Sequence, residues 1–411
     1  MRAIPTALCV VLLGVLHPLD SEGRDCPSHL RSNQWEPRDI FSIGLELRSF
    51  YIGADVGDGL PRSRTAEGWE NDPASGVRLL AGFYPLDGLS ITAEFDLTVA
   101  KDVLAEGDEL KVRPRATEAL VDYDSESWGV GAGIQTFTVG SGAMLDQRFL
   151  ALDLRLKTRI ATLDVFGGAT NSYLMKSATN CIFTAYTAHT QGWRTIGDGL
   201  DSFMGGAILS FKTLQPFTLQ LAYLFARPDV EHLRGHGATL ALSGPIVRQR
   251  LSMSIETMWL VDDAQVIKPA VLAELRSRPF GGLRLKVAAA TSFGGEPAER
   301  FTPVFENLSW GILQRFNLYQ GRLLMGRAAY AVGEHVKPFA GYYMRFLESS
   351  LDSENTGDEL DAGVDLKISD LYTLRAAYIG ANLVGPHVTS HICYLELRVI
   401  IGAQLNALTG S

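Results

Sequence analysis

The charged residues with the clearest chemical potential in this sequence occupy every second position of apolar segments. In FLALDLRLKTRIATLDVF, from Phe149 to Phe166, Asp153, Arg155 and Asp164 alternate with apolar residues. Two later segments repeat the arrangement, at Glu274, Arg276, Arg284 and Lys286. Because alternate residues of a β-strand project to opposite faces, these charges are predicted to share one face of neighbouring strands. Such mixed-sign ladders stabilise a sheet and, beside a water-filled passage, set ion selectivity.

A second polar group follows a glycine-rich stretch, at Asp146, Gln147 and Arg148. Two interpretations stay open for it. The three side chains could form a constriction that sorts solutes by charge, or an ion pair and an amide could fix a loop against a wall.

Catalytic and metal-binding patterns are not supported. His232 and His236 are four residues apart, but no Glu follows His232, as a zinc-protease helix requires. His387 and His391 have no cysteine or carboxylate at ligand spacing. The acidic stretch 352–359 lacks EF-hand spacing, so a solvated surface loop is favoured over a calcium site. We expect no enzyme activity, no bound metal and no cofactor.

The beginning of the chain predicts secretion. Arg2 precedes an apolar run from Ala3 to Leu16 that is too short to span a bilayer, and small residues follow at Ser21 and Gly23. We therefore predict a signal peptide at 1–23 and a periplasmic segment at 24–38. The net charge of −9 and the absence of a basic stripe argue against nucleic acid as a partner. The widely spaced Cys26, Cys181 and Cys393 favour isolated thiols, with a bridge from Cys26 left open.

The elements that must position the charges are strands. Apolar and polar residues alternate from 39 to 405 without a linker, which is too long for one soluble β-sandwich. In a sandwich the leucines would form the core, whereas in an outer-membrane barrel they face lipid and the charges line the interior. Aromatic residues near predicted strand ends favour the barrel, at Tyr84, Tyr123, Trp128, Trp259, Trp310, Tyr319 and Phe346.

The fold class predicted is all-β, a transmembrane antiparallel barrel at 39–405 followed by a tail at 406–411. Short turns, such as 157–159, 244–245 and 319–321, alternate with long loops, such as 53–75, 171–202, 293–306 and 349–359. This alternation predicts short periplasmic turns and long extracellular loops. About 19 strands can be counted, with ambiguity between Leu318 and Leu360. Since bacterial barrels have an even number, we predict 18 strands, with 16 as the alternative.

One stretch resembles a known family. Residues 119–156 are similar to a unit of porin-like outer-membrane barrels of the alginate-export type, through the elements Val121-Asp122-Tyr123, Gly133-Ile134-Gln135, Gly140-Ser141-Gly142 and Leu145-Asp146-Gln147-Arg148-Phe149. The resemblance covers about forty residues. It implies that 141–147 lies on the outer side, 157–159 forms a periplasmic turn and 171–202 forms an extracellular loop. The family has an arginine where this chain has Ile134, which weakens the implication of an anionic polymer as substrate.

The function expected from these observations is passive diffusion of small hydrophilic solutes through a mixed-charge lumen in the outer membrane of a Gram-negative bacterium. An alternative is export of an alginate-like anionic polysaccharide. Another is a plugged structural or adhesive barrel without conductance. Outer-membrane lipid is the expected surrounding, and a monomer is weakly favoured over an oligomer.

Overall fold

The computed structural model describes most of the segment between residues 39 and 406. The described ranges are 39–55, 69–101, 110–170, 202–211, 216–227, 235–248, 250–262, 266–293, 322–346, 356–369, 371–382 and 389–406. The predicted signal peptide at 1–23, the segment 24–38 and residues 407–411 lie outside the described residues. Within the described ranges, no helix is long and apolar enough to cross a membrane.

In the described part of the chain, the alternating segments form eighteen antiparallel strands that follow one another in space as they do along the chain. They are β1 (Asp39–Asp55), β2 (Trp69–Leu86), β3 (Leu89–Lys101), β4 (Leu110–Asp124), β5 (Trp128–Val139), β6 (Leu145–Lys157), β7 (Ala161–Thr170), β8 (Ser202–Phe211), β9 (Thr218–Arg227), β10 (Gly235–Val247), β11 (Leu251–Asp262), β12 (Ile267–Ser277), β13 (Leu283–Ser292), β14 (Arg322–Tyr330), β15 (Val336–Phe346), β16 (Thr356–Lys367), β17 (Tyr372–Asn382) and β18 (Thr389–Asn406). The predicted number of 18 strands is confirmed and the alternative of 16 is wrong.

The sheet closes into a barrel because β1 pairs on one side with β2 and on the other with β18. Asp39 lies opposite Asn406, so both ends of the strand-forming segment meet at one end of the barrel, the terminal end. Short turns join strands there, for example 87–88 between β2 and β3, and 158–160 between β6 and β7. The opposite end, the loop end, has the long connections 171–201 and 293–321.

The outer surface of the barrel is apolar. Leu150, Leu152, Leu154 and Leu156 are 44–60% exposed, whereas Asp153 on the other face of β6 is 4% exposed. These leucines therefore do not form a core between two sheets. The same assignment holds in β12, where Leu275 is exposed and Leu272 is buried. The barrel interpretation of the alternation is confirmed, and the sandwich interpretation is excluded.

Three predicted boundaries are wrong. The predicted loop 53–75 is shorter at both ends, because β1 continues to Asp55 and β2 already begins at Trp69. Residues 244–245 do not form a turn but continue β10, because Gly244 and Pro245 pair in register with β11. The acidic stretch 352–359 is not wholly a loop, since β16 already begins at Thr356. In its described part, the segment between Leu318 and Leu360, where the strand count was ambiguous, contains β14, β15 and the start of β16. The predicted turn at 319–321 lies outside the described residues.

Closure of the sheet by β18 can be tested by deletion. Deleting residues 389–411 removes β18 and leaves the backbone groups of β1 and β17 without partners, so this chain will not form a barrel. Gel mobility before and after boiling, on protein refolded in detergent, measures this: the deleted chain will run identically in both states. Deletion of 407–411 alone is the matched control and will retain the heat-dependent shift. A heat-dependent shift in the chain without β18 would contradict the role of closure.

Candidate functional site

The connection between β5 and β6 folds into the barrel. Residues 140–144, the inward segment, join the two strands at the loop end, yet Ala143 and Met144 are buried. Gly140 and Gly142 adopt positive φ angles of 57° and 86°, which only glycine adopts without strain. The Gly142 N–H donates to the carbonyl of Val139 at 2.8 Å and closes a tight turn. The segment thus turns inward instead of extending away from the barrel.

A buried carboxylate on β11 holds the inward segment. The backbone N–H and the hydroxyl of Ser141 both donate to Glu256 Oε2, at 2.7 and 2.6 Å. The Thr239 hydroxyl lies 3.3 Å from Glu256 Oε1 and 3.0 Å from the carbonyl of Thr257, so its single proton is shared between these two acceptors. Gly140 N–H donates to Gln220 Oε1 at 2.7 Å, on β9. Because Glu256 is only 1% exposed, these donors compensate the loss of water around its charge.

Glycines make room for this contact. A Cβ at Gly140 would lie 2.5 Å from the carboxylate carbon of Glu256. On β10, a Cβ at Gly237 would lie 2.0 Å from the terminal methyl of Met144. A larger residue at Gly140 would therefore displace the carboxylate that holds the inward segment, whereas one at Gly237 would first displace the flexible end of the Met144 side chain.

Apolar side chains fill the interior around the inward segment. The rings of Phe137 and Phe166 stack with centroids 4.2 Å apart, and Phe149 lies 6.3 Å from Phe137. Beyond them, buried apolar residues continue around the barrel, including Met204, Leu224, Met258, Leu272, Leu323 and Met325. This part of the interior is packed. An outer-membrane barrel whose interior is a water-filled channel shows polar residues at such positions instead.

Elsewhere the interior carries charge. Arg155 contacts Asp122, and it also lies 3.0 Å from Asp153 and 3.5 Å from Asp124. Lys157 contacts Asp124 and donates to the carbonyl of Ser125 at 3.1 Å. The guanidinium therefore joins β6 to β4 across the intervening strand β5.

The intervening strand allows this because it has glycines on its inner face. A Cβ at Gly131 would lie 2.2 Å from Asp153 Oδ1 and 3.1 Å from Asp122 Oδ1. A Cβ at Gly129 would lie 3.2 Å from the guanidinium carbon of Arg155. The carboxylates and the guanidinium thus lie close to the wall, where side chains on β5 would otherwise stand.

Similar ion pairs continue around the interior. Arg78 lies 3.2 Å from Glu94 and 3.8 Å from Glu46, and Arg398 lies 3.1 Å from Glu46. These contacts join β18, β1, β2 and β3. Arg375 and Asp365 form a bidentate pair at 2.6 and 3.2 Å. We call these residues the charged belt. It also includes Asp122, Asp124, Asp153, Arg155 and Lys157 on β4 and β6, and Glu274, Arg276 and Lys286 on β12 and β13.

Most predicted pore residues lie in this belt. Arg155 is opposite Asp164 in the register of β6 and β7, next to Asp153. On β12 and β13, Lys286 lies 2.8 Å from Glu274, which also contacts Arg276. Arg284 is two positions before Lys286 and lies opposite Ala329. The two groups belong to strands five apart, so they form separate parts of the belt and no single cluster.

The other predicted group is placed differently. Asp146, Gln147 and Arg148 belong to the backbone ladder of β6 and not to the inward segment that precedes them. Arg148 is buried and has the same parity in β6 as the outward-facing Leu150. A role of these three residues in selecting solutes stays a prediction.

The sequence interpretation did not include Glu256, Gln220 or Thr239. One signal was present in LSMSIETMWL: Glu256 is a charged residue, and it alternates onto the same face of the strand as Ser254 and Met258. Alternation alone could place Glu256 on the inner face, but nothing local points to its partner on the inward segment.

Metal and thiol chemistry finds little support in the described part of the chain. No group of three or more His, Cys, Asp or Glu residues there is arranged to hold a metal ion. His236 and His391 each bind a tyrosine hydroxyl on the outer surface, and Cys393 is an exposed free thiol. His232, His387, Cys26 and Cys181 lie outside the described residues.

Comparison with known proteins places the fold. No family model and no curated protein matches the sequence. Among solved structures, Pseudomonas aeruginosa OccK11 (OpdR) is similar with a TM-score of 0.60 and 12% identity, over 90% of this chain and 99% of that one. Acinetobacter baumannii OccAB4 is similar with a TM-score of 0.62 and 10% identity, over 90% and 100%. The Pseudomonas aeruginosa outer membrane protein opdK is similar with a TM-score of 0.59 and 13% identity, over 88% and 98%.

These similarities span nearly the whole length of each chain, so this protein shares the complete barrel architecture of the three structures. It has a porin-like β-barrel fold. At sequence identities of 10–13%, these similarities show the fold alone and do not indicate which solutes pass.

The anchor of the inward segment can be tested by substitution. Glu256→Ala removes the acceptor of two hydrogen bonds and leaves the Ser141 donors unsatisfied, so the free energy of unfolding will fall by about 1–3 kcal/mol. Denaturant unfolding followed by tryptophan fluorescence measures this loss. Glu256→Gln retains one acceptor and will lose less. Ser254→Ala, two positions earlier in β11, is the matched control and will change stability little; an equal loss there would contradict the anchor.

Proposed function

We propose that this protein is an outer-membrane channel through which small hydrophilic solutes diffuse passively. The observation that carries the proposal is the opposite character of the two barrel faces. Leu150, Leu152 and Leu154 are exposed outside, while Asp153 and Arg155 contact one another inside. An exposed apolar band is stable only against lipid, and a ring of interior charges is stable only when the charges are paired and hydrated.

The mechanism requires no catalytic group. Solutes move down their concentration gradient through the interior, and the charged belt supplies modest selectivity because both signs are present. The inward segment narrows the interior where it reaches the middle of β11 at Glu256. We therefore propose that residues 140–144 and the adjoining belt residues limit solute size and charge.

The location proposed is the outer membrane of a Gram-negative bacterium, with the terminal end in the periplasm and the loop end outside. The sequence signal for secretion, the apolar outer surface and the similarity to an outer membrane protein support it. We propose a monomer surrounded by lipid.

A second candidate is a plugged structural or adhesive barrel. The buried apolar cluster from Phe137 to Met325 favours it, because packed apolar side chains leave less interior for water. Export of an anionic polysaccharide, implied by the alginate-type resemblance, is the remaining alternative. Carboxylates interspersed throughout the charged belt favour small solutes over a polyanion, as does Ile134 in place of the family's arginine.

Conductance separates these functions. Purified barrel inserted into planar lipid bilayers will give discrete current steps in potassium chloride if solutes pass through it. Heat-dependent gel mobility of the same preparation shows that the barrel is folded. A folded protein without current steps would contradict the channel and favour the plugged barrel. Block of the steps by oligomeric alginate, but not by small neutral sugars, would favour polysaccharide export.

The ion selectivity of the conductance can be used to test the role of the charged belt. Arg155→Gln removes the cation among Asp122, Asp124 and Asp153, so the cation-to-anion permeability ratio will rise by about twofold. The reversal potential in a potassium chloride gradient measures the ratio. Arg250→Gln is the matched control, because it makes the same charge change in a turn at the terminal end, outside the belt. An unchanged ratio in the folded Arg155 variant would show that the belt lies outside the conducting path.

A further inference from the structure

Two tyrosine–histidine pairs occur on the outer surface of the barrel. The Tyr223 hydroxyl lies within hydrogen-bond distance of His236 Nδ1, and their rings are 5.9 Å apart. The Tyr378 hydroxyl is related in the same way to His391 Nδ1, with rings 6.0 Å apart. In both pairs the partners are 13 residues apart on adjacent strands, β9 with β10 and β17 with β18.

The sequence around the two pairs is repeated. Thr218-Leu219 precedes Ala222-Tyr223 with the same spacing as Thr373-Leu374 precedes Ala377-Tyr378. The two tyrosines are separated by the same number of positions as the two histidines. The repeated residues therefore build the same local structure at two places, eight strands apart in the closed sheet.

Both pairs lie near the loop-end edge of the apolar band. His236 is the second residue of β10, and Tyr223 is four residues before the end of β9. Apolar residues follow His236 on the same face towards the terminal end, ending with the exposed Ile246. An apolar band about 25 Å high corresponds to such a strand length, so these side chains lie at the level of lipid headgroups.

In one of the two tautomers of each histidine, the hydrogen bond to tyrosine leaves the imidazole a donor for an outside group. A neutral histidine has one nitrogen that accepts and one that donates. When the tyrosine hydroxyl donates to Nδ1, the proton of the ring is on Nε2. That N–H is then available to an acceptor outside the protein, such as a phosphate oxygen.

One of the two pairs also has a cation beside it. Arg227, the last residue of β9, has the same parity as Tyr223 and Phe225 and is exposed. His236 lies opposite Phe225, so Arg227 is in the diagonal position, about 7–8 Å away between backbones. The position that corresponds to Arg227 in the second pair is Asn382. The two copies thus differ in charge while sharing the same tyrosine and histidine.

We propose that Arg227, His236 and Tyr223 form a binding site for the phosphate of a lipid headgroup in the leaflet at the loop end. Arg227 supplies the positive charge, His236 supplies the Nε2–H donor, and the tyrosine orients the imidazole. The site rests on the proposed outer-membrane location, since it needs lipid around the barrel. It does not depend on conduction through the interior.

The surroundings favour a lipid over a dissolved phosphate ion. Phe225 and Phe203, which lies opposite Arg227, are 44% and 49% exposed, and Trp259 on β11 is 38% exposed. A dissolved anion gains nothing from these apolar surfaces. A lipid buries its acyl chains against them while its phosphate reaches the two donors.

Native mass spectrometry in neutral maltoside detergent provides the test. The full-length barrel will retain phosphorylated lipid A about tenfold more tightly than the same lipid A after enzymatic removal of its phosphates. The double variant Arg227→Gln with His236→Gln will lose this preference. Inorganic phosphate added in excess will compete only weakly, because it lacks the acyl chains. Tyr223→Phe will reduce the preference partly, since it removes only the orienting hydroxyl.

The second pair supplies the matched control. His391→Gln makes the same histidine substitution in the pair that has Asn382 in place of the arginine. It will leave the preference for phosphorylated lipid intact. Equal retention of both lipids by the wild-type barrel would overturn the proposal, as would an unchanged preference in the double variant. A loss with His391→Gln equal to that of the double variant would overturn the role of Arg227.

Failure of the proposed channel can be recognised separately. Arg227 and His236 face away from the interior, so the double variant will conduct as the wild type does. A barrel that is folded and silent in planar bilayers, yet retains phosphorylated lipid selectively, would reject the channel and support the lipid site.

Discussion

The closed hydrogen-bond ladder is the constraint on which the rest of this structure depends. Each strand satisfies its backbone groups with two neighbours, and β1 closes the circuit by pairing with β18. Closure lets the side chains outside be apolar, because no backbone polar group remains to be solvated there. It also separates two environments so strictly that adjacent residues of β6, Leu152 and Asp153, are 60% and 4% exposed. Both the lipid-facing band and the charged belt follow from this separation.

The interior itself is divided. Ion pairs among β18, β1, β2 and β3, and around Arg155, hold charges near the wall, with glycines of β5 providing the space. Around the inward segment, packed apolar residues replace them, and Glu256 is a buried charge among them that orients the segment. A carboxylate buried among apolar groups is stable only with several donors, which Ser141 and Thr239 provide. The same carboxylate therefore both requires and determines the position of the inward segment.

Local alternation was sufficient to predict the barrel and the outward leucines, because each depends on residues two positions apart. Alternation alone gave about 19 strands, and the rule that bacterial barrels have an even number of strands was needed to reach 18. Alternation failed where the polarity of a strand is the same on both faces. In β13, Val287, Ala288, Ala289 and Ala290 are all apolar, so the sequence could not show that its inner face is packed. It also failed at Gly244-Pro245, since pairing with β11 overrides the usual preference of this dipeptide for a turn. The partners of Glu256 were beyond reach, since they are determined by the curvature of the whole sheet.

The contact between Ser141 and Glu256 joins residues 115 positions apart in the chain. Contacts of such long range carry an entropic cost of loop closure. The Ser141 hydroxyl cannot meet its acceptor until β7, β8, β9 and β10 have joined the growing sheet to bring β11 into place. A barrel that closes with a missing or misregistered hairpin in this region leaves Glu256 without its hydrogen-bond donors. A carboxylate that is buried without hydrogen-bond donors is costly, so this five-residue connection favours the native register of the four intervening strands.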